Sequence, residues 1–104
     1  MLKIEKADTF FKRLRGLIGR DNLAQGQGLL IAPCNSIHML FMKFDIDAIF
    51  IDKNFVIKKI VSNLKTWTGF SICLSAWGVV EVAAGEAKRL NLKIGEKLNV
   101  QIDS

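Results

Sequence analysis

One segment, PCNSIHMLFMKFDIDAIFID from Pro33 to Asp52, gathers the only proline, the only histidine, one of two cysteines and two of three methionines. A thiol and an imidazole this close in sequence make a candidate nucleophile and base. That chemistry needs the ring within hydrogen-bond reach of sulfur and a third group to orient it. Asp47 or Glu81 could be that group. In a regular strand Cys34 and His38 share a face without being adjacent, so only a bulge or turn would bring them together. A Cys/His metal centre would need more ligands than one histidine and a distant Cys73, and no CxxC or HxxxH spacing occurs. Neither a metal nor a cofactor is expected.

The acids are the stronger signal. Glu81 sits inside VVEVAA and Asp47 inside DIDAIF. A carboxylate on a buried strand face costs several kcal/mol unless it is paired or hydrogen-bonded. Each acid must therefore face solvent, meet a partner such as Lys43, Arg89 or His38, or line a pocket. Trp67, in a Thr/Gly-rich stretch, is placed to cap the core or to touch a ligand. The candidate ligand-binding set is His38, Asp47, Glu81 and Trp67, with His38 and at least one of the two acids expected side by side at a concave surface.

The elements that would position these residues are mostly strands. Leu2–Lys6 alternates with Leu2 and Ile4 inward. From Phe10 the apolar residues 10, 11, 14, 17 and 18 fall on one helical face, with Thr9 as a cap and Gly19 as a stop. Strands are then expected over Gly28–Ala32, Asn35–Met42, Ile46–Ile51, Phe55–Val61, Ala76–Ala83 and Lys97–Asp103. Asp52-Lys53-Asn54 reads as a hairpin turn with Asn54 left-handed. Residues 62–75 read as a long loop, and Gly85–Leu92 as a short second helix. Short strands with tight connections predict an α+β domain, mostly antiparallel β, as a sandwich or partly open barrel with a peripheral N-terminal amphipathic helix.

At 104 residues the chain has the length of one domain, and an apolar half with a charged quarter is a globular profile. The net charge of +5 is concentrated at the start, where residues 1–20 carry six basic groups against two acids. A basic amphipathic helix can lie on anionic lipid or grip phosphates. The simpler reading packs its apolar stripe on the sheet and leaves the charges in water, so neither a membrane nor nucleic acid is the expected partner. No export signal is visible and two cysteines do not make a disulfide framework, so free thiols and a cytoplasmic location are expected.

Several stretches together resemble a widespread bacterial and archaeal family, domain of unknown function 192. They are RLRGLIGR at Arg13–Arg20, GLLIAPCNSIHMLFM followed by FDIDAIFID, VVEVAAG at Val79–Gly85, and the later IGEKL. The resemblance covers nearly the whole chain. It implies a compact β-sandwich-like fold and no established reaction. Thr66, Asp45 and Ala83 stand where relatives often carry proline, so rigid turns are expected to be loosened there. The resulting expectation is a non-catalytic binding or accessory module for a small molecule or a protein partner. The alternatives are a small hydrolase-like enzyme using His38 with Asp47 or Glu81, and a basic N-terminal surface for membrane or nucleic acid.

Overall fold

The computed structural model describes residues 2–7, 23–38 and 44–103, with only the backbone for Lys6, Ala7, His38 and Asp103. The helix expected over residues 10–18, the basic surface it would carry and Lys43 lie outside the described residues. The described residues form eight strands: β1 (Leu2–Ala7), β2 (Gln27–Ile31), β3 (Ser36–His38), β4 (Ile46–Ile51), β5 (Ile57–Leu64), β6 (Phe70–Ile72), β7 (Gly78–Ala83) and β8 (Val100–Asp103). One helical turn, α1 (Glu86–Arg89), lies between β7 and β8.

The expected α+β class, a mostly antiparallel sandwich or partly open barrel with two helices, is corrected: the described residues are mostly β, built on a mixed sheet with a single helical turn. Strand makes up 50% and helix 5% of the described residues. Six strands join one mixed sheet in the order β5-β4-β7-β2-β1-β8, and β3 pairs with β6 in a separate ribbon. The antiparallel expectation fails at β1, which runs parallel to both β2 and β8. A parallel pair needs a crossover of a dozen or more residues, and the chain between Ala7 and Gln27 supplies that length. The short helix expected over Gly85–Leu92 is a single turn. It stops where Asn91 takes a left-handed φ of 55°, a conformation that ends helices.

The central strands are buried on both faces, which explains their nearly unbroken apolar sequences. One face collects Leu29, Ile31, Ile46, Ala48, Phe50 and Val79, covered by Ile37 of β3. The other collects Leu2, Ile4, Leu30, Ile49, Ile51, Val80 and Val82, with Leu98 and Ile57. An isolated bridge, Val56 to Lys97, ties the two ends of the sheet order together, so the sheet curls around this second cluster.

The β4–β5 hairpin forms at the expected turn. Asp52 Oδ1 accepts the amides of Asn54 at 2.8 Å and Val56 at 3.0 Å. The left-handed residue is Phe55 (φ 64°) rather than Asn54. Those two amide bonds hold the Asx turn through Asn54, and the reversal falls one residue later.

Candidate functional site

Asp47 is fully buried, and its position follows from a bulge. Between Ile46 and Ala48 of β4 lies one residue, whereas their partners Leu64 and Val61 on β5 are separated by two. The extra length is taken up at Asn63, whose φ is 54°; Asn tolerates this left-handed conformation. The bulge turns the Asn63 amide toward Asp47, and Oδ1 accepts it at 2.9 Å. Oδ2 accepts the amides of Gly85 at 3.0 Å and Ala87 at 2.9 Å, at the start of α1. Both oxygens are thus occupied by backbone donors that replace the water lost on burial. Asp47 ties β4, β5 and the β7–α1 corner into one junction.

Glu86 completes this junction. It is buried, and its Oε2 accepts the Gly26 amide at 2.8 Å, which holds α1 against the turn that enters β2. Arg89 closes on the same carboxylate through Nε to Oε1 and through Nη2 to Oε2 at 2.9 Å. The guanidinium beside it, with the Gly26 amide, holds the Glu86 carboxyl below its ordinary value. Arg89, considered from sequence as a partner for Asp47 or Glu81, pairs with Glu86 instead. Sequence reasoning missed Glu86. The available signal was an acid directly after Ala-Ala-Gly, at the first turn of an expected helix.

The structure separates the two acids of the candidate set. Asp47 stands beside Val82 across the β4–β7 pair, on the face of the second cluster. Glu81 stands between Ala48 and Leu29, on the face of the first cluster. Both are buried, with the sheet between them. The His38 backbone pairs with Phe70, and its side chain lies outside what is described. A pocket holding both acids is therefore not formed, because the alternation of β4 and the register with β7 send them to opposite faces.

Trp67 is on the surface, 55% exposed, in a tight turn with a φ of 66°. Thr68 N–H donates to the Thr66 carbonyl at 2.7 Å and Gly69 N–H to the Lys65 carbonyl at 2.9 Å. A Cβ at position 69 would come within 2.5 Å of that same Lys65 oxygen, so the turn needs glycine there. The residues expected to be a long loop are not one: β5 continues to Leu64, and β6 follows the turn.

Asp45 and Thr66, two positions where the resemblance implies proline, meet each other. Asp45 Oδ1 accepts the Thr66 amide at 2.9 Å, and Lys65 reaches Oδ2 at 3.3 Å. The Thr66 amide and the Lys65 ammonium hold the Asp45 carboxyl below its ordinary value. A proline at 66 would lack the donor, and a proline at 45 would lack the acceptor. The turn expected to be loosened is closed by a hydrogen bond between the two replacements.

The thiols are free and half-buried. Cys34 Sγ donates to the Ser36 carbonyl at 2.9 Å, and Cys73 lies 3.5 Å from the Ser75 hydroxyl. Among the described residues no three metal-ligating side chains cluster, and no helix is long and apolar enough to cross a membrane.

The fold and this junction define a small mixed β-sheet domain in which a buried aspartate binds backbone corners together. The chain belongs to the domain of unknown function 192 family, described as an uncharacterized ACR, whose sequence model matches residues 1–100. It is 31% identical over 108 residues to a UPF0127 protein of Thermococcus sibiricus, covering 97% of this chain and 68% of that one. It is 30% identical over 104 residues to a UPF0127 protein of Thermococcus kodakarensis, covering 93% and 64%. The chain therefore spans about two thirds of the length of these relatives. Among solved structures, a protein of unknown function from Novosphingobium aromaticivorans matches with a TM-score of 0.81, covering 90% of this chain and 71% of that one. A proposed transcription regulator from Sinorhizobium meliloti matches with a TM-score of 0.85, covering 92% and 79%. Both are 24% identical to this chain, which shows the fold alone.

Proposed function

We propose that this chain is a small non-catalytic binding or accessory module that acts in the cytoplasm and docks a protein partner through the outer face of β6 and the turn before it. The observation that carries this reading is exposure. Phe70, Ile72 and Leu74 are 62%, 44% and 80% exposed, and Trp67 joins them within the same short stretch. Residues 70, 72 and 74 recur with the period of a strand, while Ser71 between them is buried. Large exposed apolar side chains grouped on one element mark interaction surfaces more often than solitary ones do. Lys59 borders the stripe, its ammonium donating to the Ile72 carbonyl at 3.0 Å. The free thiols fit a reducing compartment.

A hydrolase built on His38 and Asp47 would require a carboxylate oxygen free to orient the imidazole. Both Asp47 oxygens already accept backbone amides, which weighs against that alternative. The binding reading is tested by placing a photocrosslinking phenylalanine analogue at position 70 in cells. A discrete adduct that disappears with Leu74→Ser is expected. Failure to find any adduct that depends on Leu74 would overturn the reading.

A further inference from the structure

The sheet leaves one seam open. On its outer side, the segment entering β8 is matched by the β4–β5 turn only as far as Leu98. Leu98 N–H donates to the Phe55 carbonyl at 2.7 Å, and Ile57 N–H to the Glu96 carbonyl at 2.9 Å. Beyond that point the turn folds back into β4, and β8 is the last strand in the sheet order. A cleft of about 670 Å³ lies along this gap, lined by Phe55, Lys97, Leu98, Asn99, Val100 and Ile102.

The lining is mostly apolar, with Lys97 and Asn99 as its polar side chains. Val100 and Ile102 pair with Leu2 and Ile4 of β1, so they stand on the face that holds the second apolar cluster. Phe55 and Leu98 belong to the same apolar wall, and the Phe55 ring lies 6.3 Å from that of Trp77. Ile102 is 48% exposed, so apolar surface is left open to water. Lys97 is exposed, and among the described residues its ammonium meets no carboxylate. A cleft of several hundred Å³, mostly apolar with a few polar groups in its lining, has the make-up of a small-molecule site.

From this we infer that the β8 seam binds an anionic amphiphile, its apolar chain between Phe55 and Ile102 and its carboxylate or phosphate head at Lys97. This site is independent of the β6 face. A protein partner on Trp67–Leu74 and an amphiphile at the seam stand or fall separately.

The test uses Trp67→Phe protein, in which Trp77 is the only tryptophan and reports on the Phe55 wall. Decanoate, added below its micelle concentration, should change Trp77 emission saturably with one site per chain. Lys97→Gln should weaken this by about fivefold, the size of one exposed charge contact. Ile102→Asp should abolish it while the urea transition stays cooperative, since the side chain is half in water. Decanol should bind more weakly than decanoate. Absence of saturable decanoate binding, or binding indifferent to Ile102→Asp, overturns the inference. Binding to phosphatidylglycerol vesicles without binding to monomeric decanoate also overturns it and points to a lipid surface. A dimer that Ile102→Asp converts to monomer, with no decanoate response, overturns it in favour of a second copy seated on β8.

Discussion

Asp47 and the β6 face lie at opposite extremes of one problem, the cost of placing a side chain in the wrong solvent. Asp47 is a charge without water, and three backbone amides make it tolerable. Phe70 and Leu74 are apolar groups left in water, and nothing among the described residues covers them to that degree. The first arrangement is complete and holds the fold. The second is incomplete and invites a partner. An unusual residue in a sequence is thus not by itself a sign of function: the acid in DIDAIF is absorbed by structure, while unremarked aliphatics near Trp67 form the accessible surface.

The contrast predicts unequal mutational costs. Asp47→Ala should be the most damaging, since it leaves three amides at a buried junction without an acceptor. A loss of about 3–5 kcal/mol is expected from urea unfolding, a large part of the roughly 5–15 kcal/mol available to a domain. Asp47→Asn keeps an acceptor oxygen and should cost less. A loss below about 0.5 kcal/mol for the alanine variant would place Asp47 with ordinary surface positions and erase the contrast.

Acid should loosen the same junction. The Glu86 carboxyl is held below its ordinary value of 4.5, chiefly by Arg89. The unfolded chain therefore takes up the proton first as pH falls, and the stabilisation is complete above the ordinary value and drains away through the lower folded one. The urea midpoint of Glu86→Gln should lie below wild type at neutral pH, and the gap should narrow on acidification through that window. A gap that does not change with pH would remove the charge from the explanation.

A smaller effect is expected at the turn before β6. Asp45→Ala and Thr66→Pro each break the hydrogen bond between the two residues, Asp45→Ala also loses the Lys65 contact, and each should lower the urea midpoint modestly. Together they should cost less than the sum, because the second change removes a partner already lost. Strict additivity in this double-mutant cycle would mean that the two residues do not support each other. The smallest change in stability belongs to the β6 face, where Phe70→Ser and Leu74→Ser should shift unfolding by less than about 0.5 kcal/mol. A larger loss would show that the stripe serves the fold.

Much of the strand pattern was legible from residues alone. Ile46–Ile51 matches its expected bounds because six consecutive buried positions follow a charged lead-in and precede an Asx turn. Parallel pairing of β1 was missed although its signal was present, a strand, a helical pattern over residues 10–18, and another strand. That order is the mark of a crossover unit. The extension of β5 to Leu64 was missed because Ser62 and Asn63 look like loop residues, and only the pairing with β4 shows that they form a bulge. For the candidate site, the apolar neighbours of Asp47 and Glu81 marked both acids but left burial and solvent exposure open. Their burial on opposite faces depends on the register between β4 and β7, which one strand's sequence does not carry. The seam beside β8 was likewise invisible, since Phe55 and Ile102 are brought together only by closure of the sheet.

The central claim is that Asp47 serves as a backbone acceptor and not as part of a site, and amide hydrogen exchange reads it directly. In the native protein the amides of Asn63, Gly85 and Ala87 should exchange slowly and together, near the rate set by global unfolding. In Asp47→Asn, Gly85 and Ala87 should speed up more than amides in the middle of β4. Fast exchange of all three in the wild-type protein would mean that the carboxylate does not hold them, and the account of the junction would be wrong.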